Sequence, residues 1–103
     1  MALDIIDRPA AGNIANTAVV YSGTATTVAA EVDFSTEFDA ENIYGVAVHN
    51  TDALTSLLVS FDGESTWKAV GAGQVLSLQL SRAAVDVKTA AATATYEILV
   101  SGV

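Results

Sequence analysis

The chain has 103 residues and a formal net charge of −8, from four basic and twelve acidic side chains. This length predicts one domain with a single hydrophobic core. The shortage of lysine and arginine excludes nucleic acid and anionic membranes as expected partners, because clustered cations bind phosphate groups. The chain has no cysteine, which excludes disulfides and thiolate metal sites, and no apolar run reaches the roughly 20 residues that span a bilayer.

Residues 1–17 differ in pattern from the rest of the chain. They hold three large apolar side chains, then a basic residue, the single proline and a run of small residues. Proline favours extended backbone in the residue before it, so we predict an extended N-terminal arm that becomes ordered on a neighbouring subunit; a frayed terminus is the alternative. The interface residues predicted in this arm are Leu3, Ile5, Ile6 and Arg8.

Residues 18–103 alternate between apolar and polar side chains in short runs that end at turn residues, which is typical of strands. About eight short strands are predicted, with no long helix. This pattern predicts an all-β domain, an antiparallel β-sandwich with jelly-roll-like topology, and an immunoglobulin-like sandwich is the second candidate. The predicted strands cover 19–21, 26–34, 43–50, 57–61, 66–70, 76–81, 85–88 and 96–101.

Two finer expectations concern the second strand and the connection after it. Alternation along residues 26–34 places Val28 on the core side, together with Ala30 and the apolar residues that follow it. The connection 35–42 is expected to hold one helical turn capped by Ser35, because serine is a preferred residue at helix N-termini.

The acidic side chains are concentrated at the end of the second predicted strand and in the connection after it, with five carboxylates in residues 31–41. Calcium binds such oxygens, but their spacing does not match an EF-hand loop. We interpret the segment as a solvated edge that discourages strand pairing. In a functional version of this interpretation, Glu37, Asp39 and Glu41 form an acidic contact surface for a basic partner.

The sequence contains no recognisable catalytic or metal-binding motif. His49 is the only histidine, no Gly-x-Ser-x-Gly elbow is present, and the glycines around position 72 lack the lysine of a phosphate-binding loop. A typical zinc site needs more strong ligands than one imidazole. We therefore expect no catalytic residues, no metal, no cofactor and no enzymatic activity.

Trp67, the single tryptophan, follows an Asp-Gly turn. In a carbohydrate-binding module such an aromatic side chain stacks on a sugar ring, usually with further aromatics in line, but here the three tyrosines fall on distant strands. We expect Trp67 to pack within the domain or, if it is exposed, to lie at a protein interface, where tryptophan is enriched.

Four segments resemble the small all-β virion proteins of tailed bacteriophages. Those proteins share a recurring order of features: an asparagine, a short gap, an apolar strand, an Asp-Gly turn, a tryptophan or phenylalanine, an Ala-Gly turn and another apolar strand. The segments here are 43–52, 58–63, 67–74 and 96–100.

This resemblance implies a non-enzymatic capsid decoration (cement) protein that binds the major capsid protein and copies of itself, as a trimer. It implies a place on the capsid exterior of the virion after synthesis in the host bacterial cytoplasm, and the first residues lack the features of a signal peptide. A head–tail connector, tail or fibre-base subunit is the alternative within the virion. A carbohydrate-binding β-sandwich module is the alternative of another class.

Overall fold

The structure is a computed structural model that describes residues 17–80 and 82–103, and in these residues it contains eight strands and one short 3-10 helix. The helix, Ala40–Asn42, lies between the second and third strands. The predicted arm residues Leu3, Ile5, Ile6 and Arg8 lie outside the described residues. The strands are β1 (Thr17–Ala25), β2 (Ala30–Asp33), β3 (Ile43–Asn50), β4 (Leu57–Ser60), β5 (Lys68–Val70), β6 (Val75–Leu78), β7 (Ala84–Lys88) and β8 (Ala94–Gly102).

The strands form two four-stranded antiparallel sheets. Sheet A has the order β1-β8-β3-β6, and sheet B has the order β2-β7-β4-β5. Most connections cross from one sheet to the other, and only β4 and β5 are consecutive strands that pair in one sheet. This order is that of an eight-strand jelly roll, which confirms the predicted all-β sandwich and its jelly-roll-like topology.

The core fills the space between the two sheets, because alternate side chains of each strand point inward. Valine dominates this layer, and branched side chains of this kind pack well on a pleated surface. In β3, β4, β7 and β8 the valine, leucine and isoleucine residues that strand alternation places on the inner side are buried. The largest completely buried apolar side chains are Phe34, Val46, Val48, Leu57, Val59, Val85, Val87, Ile98 and Val100.

The predicted inward position of Val28 is wrong, because β2 begins later than expected. Val28 is 72% exposed, and Ala30, the first residue of β2, is also exposed. The backbone N–H of Val28 donates to Thr26 Oγ1 (3.2 Å), and the N–H of Thr89 donates to the carbonyl of Thr26 (2.8 Å). These bonds hold residues 26–29 in a turn between the sheets, which a period of two does not reveal.

The predicted helical turn forms at Ala40–Asn42 and is not capped by Ser35. The backbone N–H of Ser35 instead donates to Asp33 Oδ1 (2.8 Å), and that of Phe38 donates to the carbonyl of Phe34 (2.9 Å). Phe34 and Phe38, the two phenylalanines that this hydrogen bond joins, are both buried. Burial of the two rings, rather than a serine cap, therefore organises the start of the connection.

Candidate functional site: the outer face of sheet A

The outer face of sheet A consists of the alternate side chains of β1, β8, β3 and β6 that point away from the core. The strand register aligns them in rows across the sheet. One glutamate and one histidine are its ionisable side chains, and it has neither lysine nor arginine. The rows are Ala18–Ser101–Gly45, Val20–Leu99–Ala47–Ser77 and Ser22–Glu97–His49–Val75.

An open hollow of about 370 Å³ lies on this face over β3. Its lining includes the small residues Gly45, Ala47, Ser77 and Ser101 and the larger residues Val46, Leu78, Gln79 and Leu99. The small residues leave room for side chains of a partner. The register shifts between Ile43 and Gly45, which places an irregularity at one end of the hollow.

Large apolar side chains are exposed on the same face. Val20 is 58% exposed, Val75 is 57% exposed and Leu99 is 44% exposed. Single exposed apolar residues are ordinary, but several on one weakly charged face mark an interaction surface. The outer face of sheet A is therefore suited to contact with another protein surface.

Charged side chains lie instead on the outer face of sheet B. Glu31 and Asp33 are exposed and alternate with an inward valine on β2, and Lys88 points outward from β7, where Asp86 on the same side of the sheet is buried. Arg82 Nη1 lies 3.4 Å from Asp86 Oδ2, and its Nη2 lies 3.5 Å from Glu31 Oε2. The two outer faces thus differ sharply in charge.

The predicted acidic contact residues Glu37, Asp39 and Glu41 are all exposed in the connection between β2 and β3. Glu37 Oε1 accepts a hydrogen bond from the Tyr21 hydroxyl. Burial, followed by this hydrogen bond, raises the pKa of Tyr21 far above its ordinary value. The Tyr21 ring also packs against the Phe34 ring, with 4.9 Å between the ring centroids. Glu37 is therefore linked to β1, and the contact role of the three acids stays a prediction.

Trp67 lies immediately before β5 and is half-buried. Lys88 Nζ lies 4.4 Å from the centroid of its ring, within the range of a cation–π interaction. By strand alternation Trp67 belongs to the outer side of sheet B. Tyr21 and Tyr96 instead pack against the core from sheet A, so these three aromatics do not form one row. A role of Trp67 at an interface stays a prediction.

His49 lies on the outer face of sheet A, in register with Glu97 of β8 and Val75 of β6. In the described residues, no group of three or more histidine, cysteine, aspartate or glutamate side chains is placed to bind a metal ion. None of the helices in the described part of the chain has the length and apolar character that a membrane crossing requires.

Asn50 is a structural residue whose role the sequence analysis did not predict. Its completely buried side chain donates from Nδ2 to the carbonyls of Thr55 (2.8 Å) and Val70 (2.9 Å). Its Oδ1 accepts from the N–H of Asp52 (3.0 Å). The end of β3 is thereby joined to the next loop and to β5. An asparagine at a strand end, two residues before an aspartate, is the signal that favours such an Asx turn.

No protein-family model matches the chain, and no curated protein does so. Among solved structures, the chain is similar to one from Bacillus endospore appendages, described as disulfide-linked pili (22% identity over 84% of each chain, TM-score 0.56). Another similar structure is a protein of unknown function from Vibrio parahaemolyticus (14% identity, 79% of this chain and 72% of that chain, TM-score 0.47). The similarity to the pilus protein shows a shared fold alone. Unlike a disulfide-linked protein, the present chain has no cysteine.

Proposed function

We propose that this chain is a non-enzymatic structural protein of a tailed-phage virion, which decorates and stabilises the capsid by binding the major capsid protein. The observation that carries the proposal is the outer face of sheet A, which combines exposed Val20, Val75 and Leu99 with an open hollow and little charge. Covering such a surface removes apolar area from water and desolvates few polar groups.

The charge distribution supports docking through sheet A. With this face on the shell, the outer face of sheet B and the acidic connection point toward solvent. Each copy carries a net charge of −8, and salt at physiological concentration screens the repulsion between charges exposed to solvent within about 8 Å. Contact with a less charged protein surface therefore leaves the acidic side chains hydrated.

The size of the face is consistent with weak contacts that are repeated many times. Four strands about 4.8 Å apart and about 20 Å long present about 400 Å². A stable interface of standard size buries about 800 Å² on each partner, so one copy is expected to bind weakly by this face alone. Many copies on one shell bind more tightly because each has a high local concentration.

The fold is also compatible with a building block of an assembly. The structurally similar spore-appendage protein is described as a pilus component, and a common fold supports this comparison only by analogy. The number of copies in the particle separates the possible roles within a virion. A decoration protein is expected at on the order of a hundred copies or more, and a connector ring at about a dozen or fewer.

A binding experiment tests the proposal with a matched pair of substitutions. Ala47→Arg places a charged side chain in the hollow, whereas Ala69→Arg places the same side chain on the outer side of sheet B. The protein is mixed with expanded capsids of its phage that lack it, and bound protein is measured by co-sedimentation. We expect Ala47→Arg to abolish binding and Ala69→Arg to retain it.

Equal binding by both folded variants would refute docking through sheet A. Failure of the unmodified protein to bind capsids, together with about a dozen copies or fewer per virion, would refute decoration and favour the connector or tail role. Glycan binding that is lost in Trp67→Ala would favour the carbohydrate-binding alternative.

A further inference from the structure

The edges of the two sheets differ in length. In residues 17–80 and 82–103, the edge strands are β1 and β6 in sheet A and β2 and β5 in sheet B. β1 has nine residues, whereas β2 and β6 have four each and β5 has three. An edge strand presents backbone groups that can pair with another chain, and proteins limit this by short edges, charges or proline.

Three of these four edges have such protection. β2 is short and carries Glu31 and Asp33, β5 is short and carries Lys68, and β6 is short. β1 has none of the three features, since its sequence TAVVYSGTA contains neither a charged residue nor proline. Long, uncharged edges of this kind are templates for strand pairing.

We propose that β1 pairs antiparallel with β1 of a second copy of this chain, about a two-fold axis near Tyr21. Tyr21, the central residue of β1, then lies opposite Tyr21 of the second copy, as a two-fold (isologous) contact requires. In this register Val20 faces Ser22 of the second copy, and Val19 faces Gly23 of the second copy. Each valine therefore lies opposite a small residue, the two Tyr21 residues lie opposite each other at the axis, and the two copies of sheet A form one continuous sheet.

The charge of β1 itself is compatible with a second copy at this edge. Each copy carries a net charge of −8, but β1 has no charged residue, so the strand itself adds no repulsion between copies. Glu37 of the acidic connection lies beside the contact, because its carboxylate accepts a hydrogen bond from Tyr21, the residue at the two-fold axis. Repulsion between the two Glu37 carboxylates therefore opposes the pairing and is screened by salt. On the neighbouring edge, Glu31 is already paired with Arg82.

The pairing would also enlarge the docking face. The two-fold axis is perpendicular to the sheet, so the outer faces of both copies of sheet A lie on the same side. Together they present about 800 Å², which reaches the area that one partner buries in a standard interface. This consequence rests on the proposed function, whereas the pairing itself does not, and it is tested without capsids.

The test uses two double variants that change the same residue types on the two edges of sheet A. V20K/S22K places lysines opposite one another across the proposed contact, because residues 20 and 22 face each other between copies. V75K/S77K makes the same changes on β6, where valine and serine have the same spacing and Val75 is exposed to nearly the same extent as Val20. Circular dichroism establishes that each variant is folded.

Association is measured by sedimentation velocity over about three decades of protein concentration. We expect the unmodified chain to dimerise, V20K/S22K to dimerise at least about tenfold more weakly, and V75K/S77K to behave as the unmodified chain. A monomer at every concentration, or the trimer implied by the phage resemblance, would overturn the proposal. So would loss of association in V75K/S77K alone.

A second measurement requires no variant. In the dimer, alternate backbone amides of β1 donate to the second copy, because residues of an antiparallel strand direct their N–H groups to its two sides in turn. We expect every second amide between Ala18 and Thr24 to become protected from hydrogen exchange as protein concentration rises. Protection that is independent of concentration along the whole strand would contradict the pairing.

Discussion

Replacement of Asn50 by alanine is expected to lower the stability of the domain more than any exposed substitution. The Asn50 side chain makes three hydrogen bonds, to the carbonyls of Thr55 and Val70 and to the N–H of Asp52, at 2.8, 2.9 and 3.0 Å. Alanine removes all three hydrogen bonds at a position that is itself completely buried. The end of β3 then loses its side-chain hydrogen bonds to the following loop and to β5, and its backbone hydrogen bonds remain.

The expected loss follows from the surroundings of each partner. A buried polar group left without a hydrogen bond costs about 1–3 kcal/mol. The bond to Val70 is buried and the other two are partly buried, so water replaces those two more readily. We therefore expect the free energy of unfolding to fall by about 3 kcal/mol, which corresponds to about 15 °C in Tm for a domain of this size.

The measurement is urea unfolding at fixed protein concentration, followed by circular dichroism and tryptophan fluorescence. Thr51→Val is the control, because it removes only the exposed bond between the Thr51 and Thr95 hydroxyls (2.9 Å) and should change stability by no more than about 0.5 kcal/mol. A loss in Asn50→Ala as small as that in the control would refute the reasoning.

Asn50→Asp separates hydrogen bonding from side-chain size. The carboxylate places negative charge against two carbonyl oxygens in a buried site, so this variant should be less stable than Asn50→Ala at pH 7. Burial and these carbonyls raise the pKa of the new carboxyl in the folded state. The stability deficit relative to the unmodified protein should therefore shrink as the pH falls through that pKa. A deficit that does not change with pH would contradict this account.

Three further predictions test other parts of the fold. Gly102→Ala should lower the free energy of unfolding by about 1–3 kcal/mol in denaturant titrations, because the added Cβ would overlap the carbonyl oxygen of Asn42. Unchanged stability would contradict the close approach of Gly102 to the Asn42 backbone. Hydrogen bonds from the Thr66 hydroxyl and N–H, with one from a serine hydroxyl, lower the pKa of Asp62 to about 2. The contribution of Asp62 to stability should therefore be present above the ordinary aspartate pKa and be lost as the pH falls toward 2, whereas Asp62→Asn should show no such loss. Titration of this carboxyl near pH 4, measured by NMR, would refute this prediction. Lys88→Ala should increase acrylamide quenching of the single tryptophan by removing the ammonium group 4.4 Å from its ring, whereas equal quenching would show that the lysine does not shield it.

The architecture was predictable where the hydrophobic pattern is local. Val46 and Val48 in β3 and Ile98 and Val100 in β8 alternate with polar or small residues, and each pair is buried as expected. The turn at residues 71–73 was also predictable, since glycine allows the positive φ of 75° that Gly73 adopts. These features depend on neighbours in sequence, which the pattern contains.

Other features depend on residues that are distant in sequence. The candidate docking face combines alternate residues of four strands, and it becomes visible only when the strand order is known. Val20 and Val75, for example, are separated by about half of the chain and belong to no sequence motif. The crossing at Val28 and the buried role of Asn50 were missed for related reasons, since each depends on contacts with other loops.

The ladder between β1 and β8 also bears on how the protein is made. A ribosome releases β1 well before β8, whose residues lie beside β1 along its whole length in the finished fold. Until then the nascent chain carries an uncharged apolar segment without its native neighbour, and such non-local pairing folds slowly. Lower growth temperature, which slows translation and aggregation, is therefore expected to raise the yield of correctly folded protein during recombinant expression.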